Sequence, residues 1–452
     1  MAYFFIKSYN YLVFCAIYTN FAAKFEVMKK ILIGLLAVMT LTFVSCHKDK
    51  EEESPTAERT VLIYMAGQNN LTYWSGSSFR YAEEDLKEIR NGVANMGDNH
   101  LLVYVSLAKD PDPKHDDHLP YLLHFRKGEL RDSIPLDSTM IPSDPATFKT
   151  IVQKAFTNYP AKDYGLVLWG HGTGWLFRSD SLASNQSRRR AYGGSNPNRS
   201  NQGAGDVWLN IPTMAKILKS QQHMKFIFAD CCNMMCAEVG YELRNATEYL
   251  IGSPAEIPGN GAPYETVVPN FFKSGTALYK GIIDAYYEGH NSTATFGVPM
   301  SVIDTKYVSD LAVATAGILE QAKGGYPQKP DAPDLSGIAF TFGYDVKMMY
   351  DMRAVIERLV PTDAFKQWDS VFQQAVPYYR MSMRWMTIYD GRSGTYDLLS
   401  AFDTFDPTLS YGCVTMFLPH TGYGYEKGDL LYNERSKNFS WTHIMNWSRF
   451  GW

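Results

Sequence analysis

Short apolar runs, some closed by glycine, recur along the chain. Residues 60–66 (TVLIYMA) stop at Gly67, 101–107 read LLVYVSL, and 164–169 (YGLVLW) stop at Gly170. Residues 225–229 (KFIFA) and 249–252 (YLIG) follow the same pattern. Apolar runs of this length, without alternation, predict strands buried on both faces. Helical spacing fills the intervals. It covers 81–91, with Leu86 and Ile89 three apart, then 146–156, 211–220 and 237–246. Strands alternating with helices predict an α/β fold around a mostly parallel sheet. Sites in such sheets lie beyond the carboxyl ends of the strands.

The character changes near residue 330. The turn-rich PQKPDAPDLSG is followed by IAFTFGYDV, a helical MMYDMRAVIERLV at 348–360, an aromatic stretch from Tyr378, and the strand-like YGCVTMFLP at 411–419. We read 59–330 as the core and 331–452 as a C-terminal extension packed on it. The polar stretch 179–205 is read as a long surface loop.

Residues 28–46 (MKKILIGLLAVMTLTFVSC) form an export signal: Lys29 and Lys30, then a 14-residue apolar stretch from Ile31 to Val44. That length suits a signal peptide rather than a membrane span. Its end resembles a lipobox, which makes Cys46 the lipidated first mature residue; a plain secretory signal is the other reading. The charged tether 47–58 resembles the acidic export signal of some Bacteroidetes surface lipoproteins. The expected location is the outer membrane or cell surface of a Gram-negative bacterium, with a lipid anchor in the membrane. Met28 opens a complete signal, so 1–27 is read as a mis-assigned start.

The chain has 452 residues, 45% hydrophobic and 20% charged, which excludes a disordered or fibrous protein. A net charge of −4 without a strongly basic domain argues against nucleic acid as a partner. Of six cysteines, four remain once Cys15 falls in the mis-assigned start and Cys46 carries lipid; these are too sparse for a disulfide framework, yet 231, 232 and 236 lie together.

The third strand runs into Gly170-His171-Gly172 and the fourth into Asp230-Cys231-Cys232. A histidine between glycines can reach over a cleft; it can equally be a turn residue. A cysteine at a strand end just before a helix N-terminus is expected to have a lowered thiol pKa; a buried structural cysteine is the alternative. Zinc is disfavoured by the C-C-x₃-C spacing. Together the two strand ends place a base and a soft nucleophile on one rim, as in a Cys–His hydrolase. The Gly172 and Cys232 amides would supply an oxyanion hole. The His115-Asp116-Asp117-His118 cluster is read as a solvated turn, and no H-E-x-x-H, G-x-S-x-G or P-loop pattern occurs.

YMAGQNNL at 64–71, YGLVLWGHGTGW at 164–175, DCCNMM at 230–235 and SPAEIPGNGAPY at 253–264 resemble the clostripain family of cysteine peptidases, in the caspase-like clan. The resemblance spans about 58–420. It implies a caspase-like α/β/α sandwich and peptide-bond hydrolysis. Carried over residue by residue, it assigns the base to His171 and the nucleophile to Cys232, with Cys231 a minor alternative. It gives Asp230 a place in a pocket for a basic P1 side chain. The family commonly has a second acid where this chain has Asn260, which removes one formal charge from that pocket. Some members cut themselves between the histidine and the cysteine. Arg188, Arg189 and Arg190 offer such a site, or are only an exposed basic patch. Some relatives use calcium; no EF-hand-type loop is present, so calcium is left open without support from the sequence, and no other cofactor is expected. A non-catalytic surface binding lipoprotein on the same scaffold, and a hydrolase of other amides or esters, are the rival functions.

Overall fold

The computed structural model describes residues 57–72, 80–109, 120–176, 192–199, 207–291, 298–322, 333–342, 347–382, 385, 406–419 and 428–452. Their strands, in chain order, are β1 (Ala57–Gly67), β2 (His100–Leu107), β3 (Tyr121–Arg126), β4 (Glu129–Pro135), β5 (Ala161–Trp169), β6 (His171–Gly172), β7 (Tyr192–Ser195) and β8 (Val207–Leu209). They continue with β9 (Met224–Asp230), β10 (Thr247–Gly252), β11 (Met300–Asp304), β12 (Phe340–Phe342), β13 (Lys347–Asp351), β14 (Tyr378–Arg380) and β15 (Thr415–Phe417). Nine form one sheet in the order β14-β11-β10-β9-β5-β1-β2-β3-β4.

The five expected apolar runs are the five central strands, and these are parallel. Both edges are antiparallel to their neighbours, so the sheet is mixed. Successive side chains of a strand point to opposite faces. On one face Leu62, Tyr64, Leu102 and Tyr104 pack with Phe148 and Ile151 of the helix Pro145–Asn158. On the other, Val61, Ile63, Leu101 and Val103 pack with Ile89 of the helix Tyr81–Gly92 and Ile282 of the helix Thr276–Asn291. Burial on both faces explains why these strands lack polar alternation. Asp144 starts the helix Pro145–Asn158 by accepting the Thr147 N–H at 2.9 Å, an N-cap worth about 1 kcal/mol.

Chain order also positions the crevice. β1 is followed by β2 on one side, whereas β5 and β9 build outward on the other. The direction of sheet growth reverses at β1, and the loops leaving β1 and β5 flank that switch point.

Residues beyond 331 are built into the same compact unit, Pro55–Trp452. β14 joins the edge of the main sheet, and β12, β13 and β15 form a small sheet. One expectation here is corrected: residues 348–351 (MMYD) are strand, and the helix spans Met352–Leu359. Buried Asp351 explains the change, because its carboxylate accepts the Arg353 and Ala354 amides and caps the helix.

β15 braces the turn that leaves β9. Thr415 N–H donates to Met235 O at 3.0 Å, and Phe417 N–H donates to Glu238 Oε1 at 2.9 Å. Glu238 is 1% exposed, and burial pushes its carboxyl up to about 7. Raising a folded-state pKa makes the folded chain hold the proton more tightly than the unfolded one. The resulting stability is present below the unfolded value, about 4.3, and is lost as pH rises through about 7. We therefore expect Glu238→Gln to flatten the part of the decline in stability between about pH 5 and 8 that this carboxyl causes. Urea melts of wild type and variant across that range measure it; parallel pH profiles would refute it.

Candidate active site

The register of two strands brings the two expected residues to one place. In the parallel β5–β9 pair Trp169 lies opposite Asp230, and Gly170 N–H donates to Asp230 O at 3.4 Å. His171 and Cys232 are each two residues past those partners. The turns that carry them touch. A Cβ added at Gly172 would sit 2.6 Å from Cys232 O and 3.1 Å from Cys232 N. One added at Gly174, at φ +62°, would sit 2.4 Å from Asn233 O. Only glycine permits that approach at either position. The Gly172 and Cys232 backbones thus lie side by side, where the sequence reading put its oxyanion donors.

His171 begins β6, which pairs with β7 so that His171 faces Gly193, and β8 joins the far side of β7. The reading of 179–205 as a surface loop is corrected at Tyr192–Ser195, which is buried strand because it pairs on both sides. β7 is anchored by buried Tyr192, whose hydroxyl is within hydrogen-bonding distance of Tyr64 O and Trp169 O, at 2.9 and 3.0 Å. The His171 Nε2 is 2.7 Å from Asn70 Oδ1. The Trp208 ring lies 6.3 Å from the imidazole with planes 29° apart.

Cys232 sits in the turn after β9 and is partly exposed, whereas Cys231 is buried in the core with Tyr192. The expected helix N-terminus is not beside Cys232. The helix spans Ala237–Leu243, and Cys236 occupies its N-cap position. The expected lowering of the thiol pKa is therefore corrected. Desolvation pushes the Cys232 thiol up to about 12, and the charge of Glu256 adds to this; the Ile257 N–H, 3.4 Å from Sγ, opposes it. None of the four cysteines among the described residues is in a disulfide.

Asp230 lies under this turn, 2% exposed. It accepts Ala262 N–H at 3.1 Å, Tyr264 O–H at 2.8 Å and Tyr286 O–H at 3.4 Å. Burial still pushes it up to about 6. Asn260 is exposed on the neighbouring turn. The close approach of Gly261 to Asp230, at φ +52°, shapes that turn: a Cβ there would sit 2.8 Å from Oδ2. Asn70, Trp208 and Glu256 are neighbours that the sequence reading did not single out. Asn70 and Glu256 lie inside quoted motifs, but an amide after a strand and an acid in a loop carry no spacing signal. Cys46, Arg188, Arg189, Arg190 and the 115–118 cluster lie outside the described residues. Among the described residues no three His, Cys, Asp or Glu side chains converge as metal ligands.

The sequence profile of the clostripain family (peptidase C11) matches residues 63–406. Clostripain from Hathewaya histolytica is 23% identical over 242 residues, covering 48% of this chain and 43% of that protein. The chain thus matches less than half the length of that relative. A crystal structure of a secreted C11 cysteine protease from Bacteroides thetaiotaomicron, in complex with an irreversible peptide inhibitor, is 27% identical. It covers 87% of this chain and 100% of its own, with a TM-score of 0.65. An inactive zymogen C11 protease from Parabacteroides distasonis is 26% identical over 86% of this chain and 98% of its own, with a TM-score of 0.64. The chain belongs to the clostripain family of cysteine peptidases.

The raised thiol pKa makes a kinetic prediction. Below its pKa a thiolate population grows about tenfold per pH unit. Iodoacetamide labelling of Cys232, read on its own peptide by mass spectrometry, is expected to accelerate steadily from pH 7 to 10. A plateau near pH 8.5, the ordinary cysteine range, would show a normal thiol instead.

Proposed function

We propose that this chain is an exported endopeptidase in which Cys232 attacks the peptide carbonyl and His171 moves the protons. The observation that carries the reading is the contact of the glycine-rich turn past β5 with the cysteine turn past β9. His171 accepts the Sγ proton of Cys232 as the thiolate adds to the carbonyl carbon. The oxyanion of the tetrahedral intermediate faces the Gly172 and Cys232 amides. His171 then gives its proton to the departing amine, leaving a thioester on Cys232. Water, deprotonated by His171, hydrolyses that thioester and restores the thiol. A thiol whose pKa burial raises would need a base to take its proton as it attacks, and that is the role we assign to His171.

Acidic side chains around the thiol favour a basic P1 residue. Glu256 raises the Cys232 pKa by its charge, and Asp230 lies beneath the same turn. Glu256 acts on the Cys232 thiol by its charge, so Glu256 is the acid we assign to the incoming cation. Processing at Arg188, Arg189 or Arg190 accords with that preference and with the zymogen reported for the Parabacteroides relative. Export accords with the secreted Bacteroides thetaiotaomicron relative, and a Cys46 lipid would tether the enzyme at the cell surface.

Cleavage of a peptide library by the full chain, beside Cys232→Ala, tests the activity. Cuts made only by wild type, and mostly after Arg or Lys, are expected. Cysteine-dependent cuts after other residues would retain the chemistry and discard the basic pocket. The absence of any cysteine-dependent cut would favour the binding-protein reading. Glu256→Gln should lower kcat/KM for P1 Arg relative to P1 Leu by on the order of tenfold, the scale of one charged hydrogen bond. An unchanged ratio would remove Glu256 from the pocket.

A further inference from the structure

We propose that Asn70 is a positioning residue for His171, choosing which of its ring nitrogens carries the proton. The proposal rests on the Cys–His reading above.

Asn70 Oδ1 lies 2.7 Å from His171 Nε2. An amide oxygen only accepts, so the proton of this bond belongs to Nε2. A neutral imidazole has one N–H donor and one acceptor nitrogen. Donation from Nε2 makes Nδ1 the basic nitrogen, the one that exchanges protons with Cys232 and the leaving amine. The Trp208 ring against the imidazole restricts its rotation at the same time.

A positioning group must itself be held, and Asn70 is. Its neighbour Asn69 is fully buried and donates from Nδ2 to Ala66 O and Gly193 O, both at 2.9 Å. Asn69 Oδ1 accepts the Leu71 N–H at 3.0 Å. Thr72 Oγ1 accepts the Ala108 N–H at 2.9 Å and donates to Gly67 O. Gln68 O accepts the Asn196 N–H at 2.8 Å. Asn70 thus stands on a strap pinned on both sides. One of the pins, Gly193, is the residue opposite His171 in the β6–β7 pair. The loop after β1 and the start of β6 are tied to the same short strand, which sets the distance between Asn70 and His171 independently of their own bond.

The amide and a carboxylate at this position differ in one respect. Both orient the ring, but a carboxylate also stabilises the imidazolium. This gives the test a readout that a structural role would not move.

Two measurements on the full chain decide it. In the first, ¹⁵N-histidine spectra of the Cys232→Ala protein report the His171 tautomer without any need for activity. We expect Nε2–H at neutral pH, and loss of that preference when Asn70→Ala is added; Nδ1–H in the Cys232→Ala protein overturns the proposal. In the second, kcat and KM are measured across pH for wild type, His171→Ala, Asn70→Ala and Asn70→Asp. An active wild type and an inactive His171→Ala establish the Cys–His reading separately. Given that, Asn70→Ala should lower kcat by about ten- to a hundredfold with little change in KM. Asn70→Asp should recover part of that loss and move the acid limb of kcat/KM upward by about one pH unit. Wild-type kcat in Asn70→Ala, or a lowered melting temperature in both Asn70 variants with unmoved pH profiles, overturns the proposal.

Discussion

The parallel pairing of β5 with β9 is the constraint on which the rest of the site depends. It aligns Trp169 with Asp230, so the chain leaves both strands at the same height. Everything beyond that point is a consequence of two turns sharing one small space. Gly172 and Gly174 are required because carbonyl oxygens of the Cys232 turn occupy the volume a side chain would need. Had the register slipped by one residue, each strand's side chains would also have changed faces and exchanged cores. The pairing is held by Leu166, Val167, Ile227 and Phe228, all fully buried.

Desolvation dominates the electrostatics around this pairing. Asp230, Glu238 and the thiols of Cys231, Cys232 and Cys236 all have raised pKa values, and burial is the largest cause for each. A charge is costly there unless donors meet it. Asp230 is met by three donors and is pushed up to about 6, whereas Cys232 has only weak help and is pushed up to about 12. In the Cys–His reading proposed above, a thiol raised in this way would give up its proton only when His171 and the carbonyl are both in place, so the orientation of His171 would carry much of the chemistry.

The C-terminal residues take part in the same arrangement. β15 pins Met235 and Glu238 from behind the turn, and Trp175, just past the histidine turn, packs on Phe417 with ring centroids 4.6 Å apart. The last strand of the main sheet, β14, comes from the region beyond residue 331 as well. The composition change near residue 330 therefore marks a change in sequence character while the packing continues across it.

Local chemistry determined a good part of this protein in advance. Uninterrupted apolar runs marked the five central strands, because a strand covered on both faces has no polar position. The ends of two of these runs, Gly170 after the third and Asp230 after the fourth, marked where His171 and the cysteine cluster emerge. The clostripain likeness followed from the motifs at those same endings. Tertiary structure decided what distance along the chain conceals. The helix read from 237 does begin there, with Cys236 at its N-cap, so no helix N-terminus adjoins Cys232 and burial raises the thiol pKa that was expected to be lowered. Asp351 turned the start of a helical pattern into strand by capping the helix one residue later. Asn70 reaches His171 across a hundred-residue separation. Such partners are fixed by strand order and register, which depend on the whole sheet closing around its two cores, and no local spacing records them.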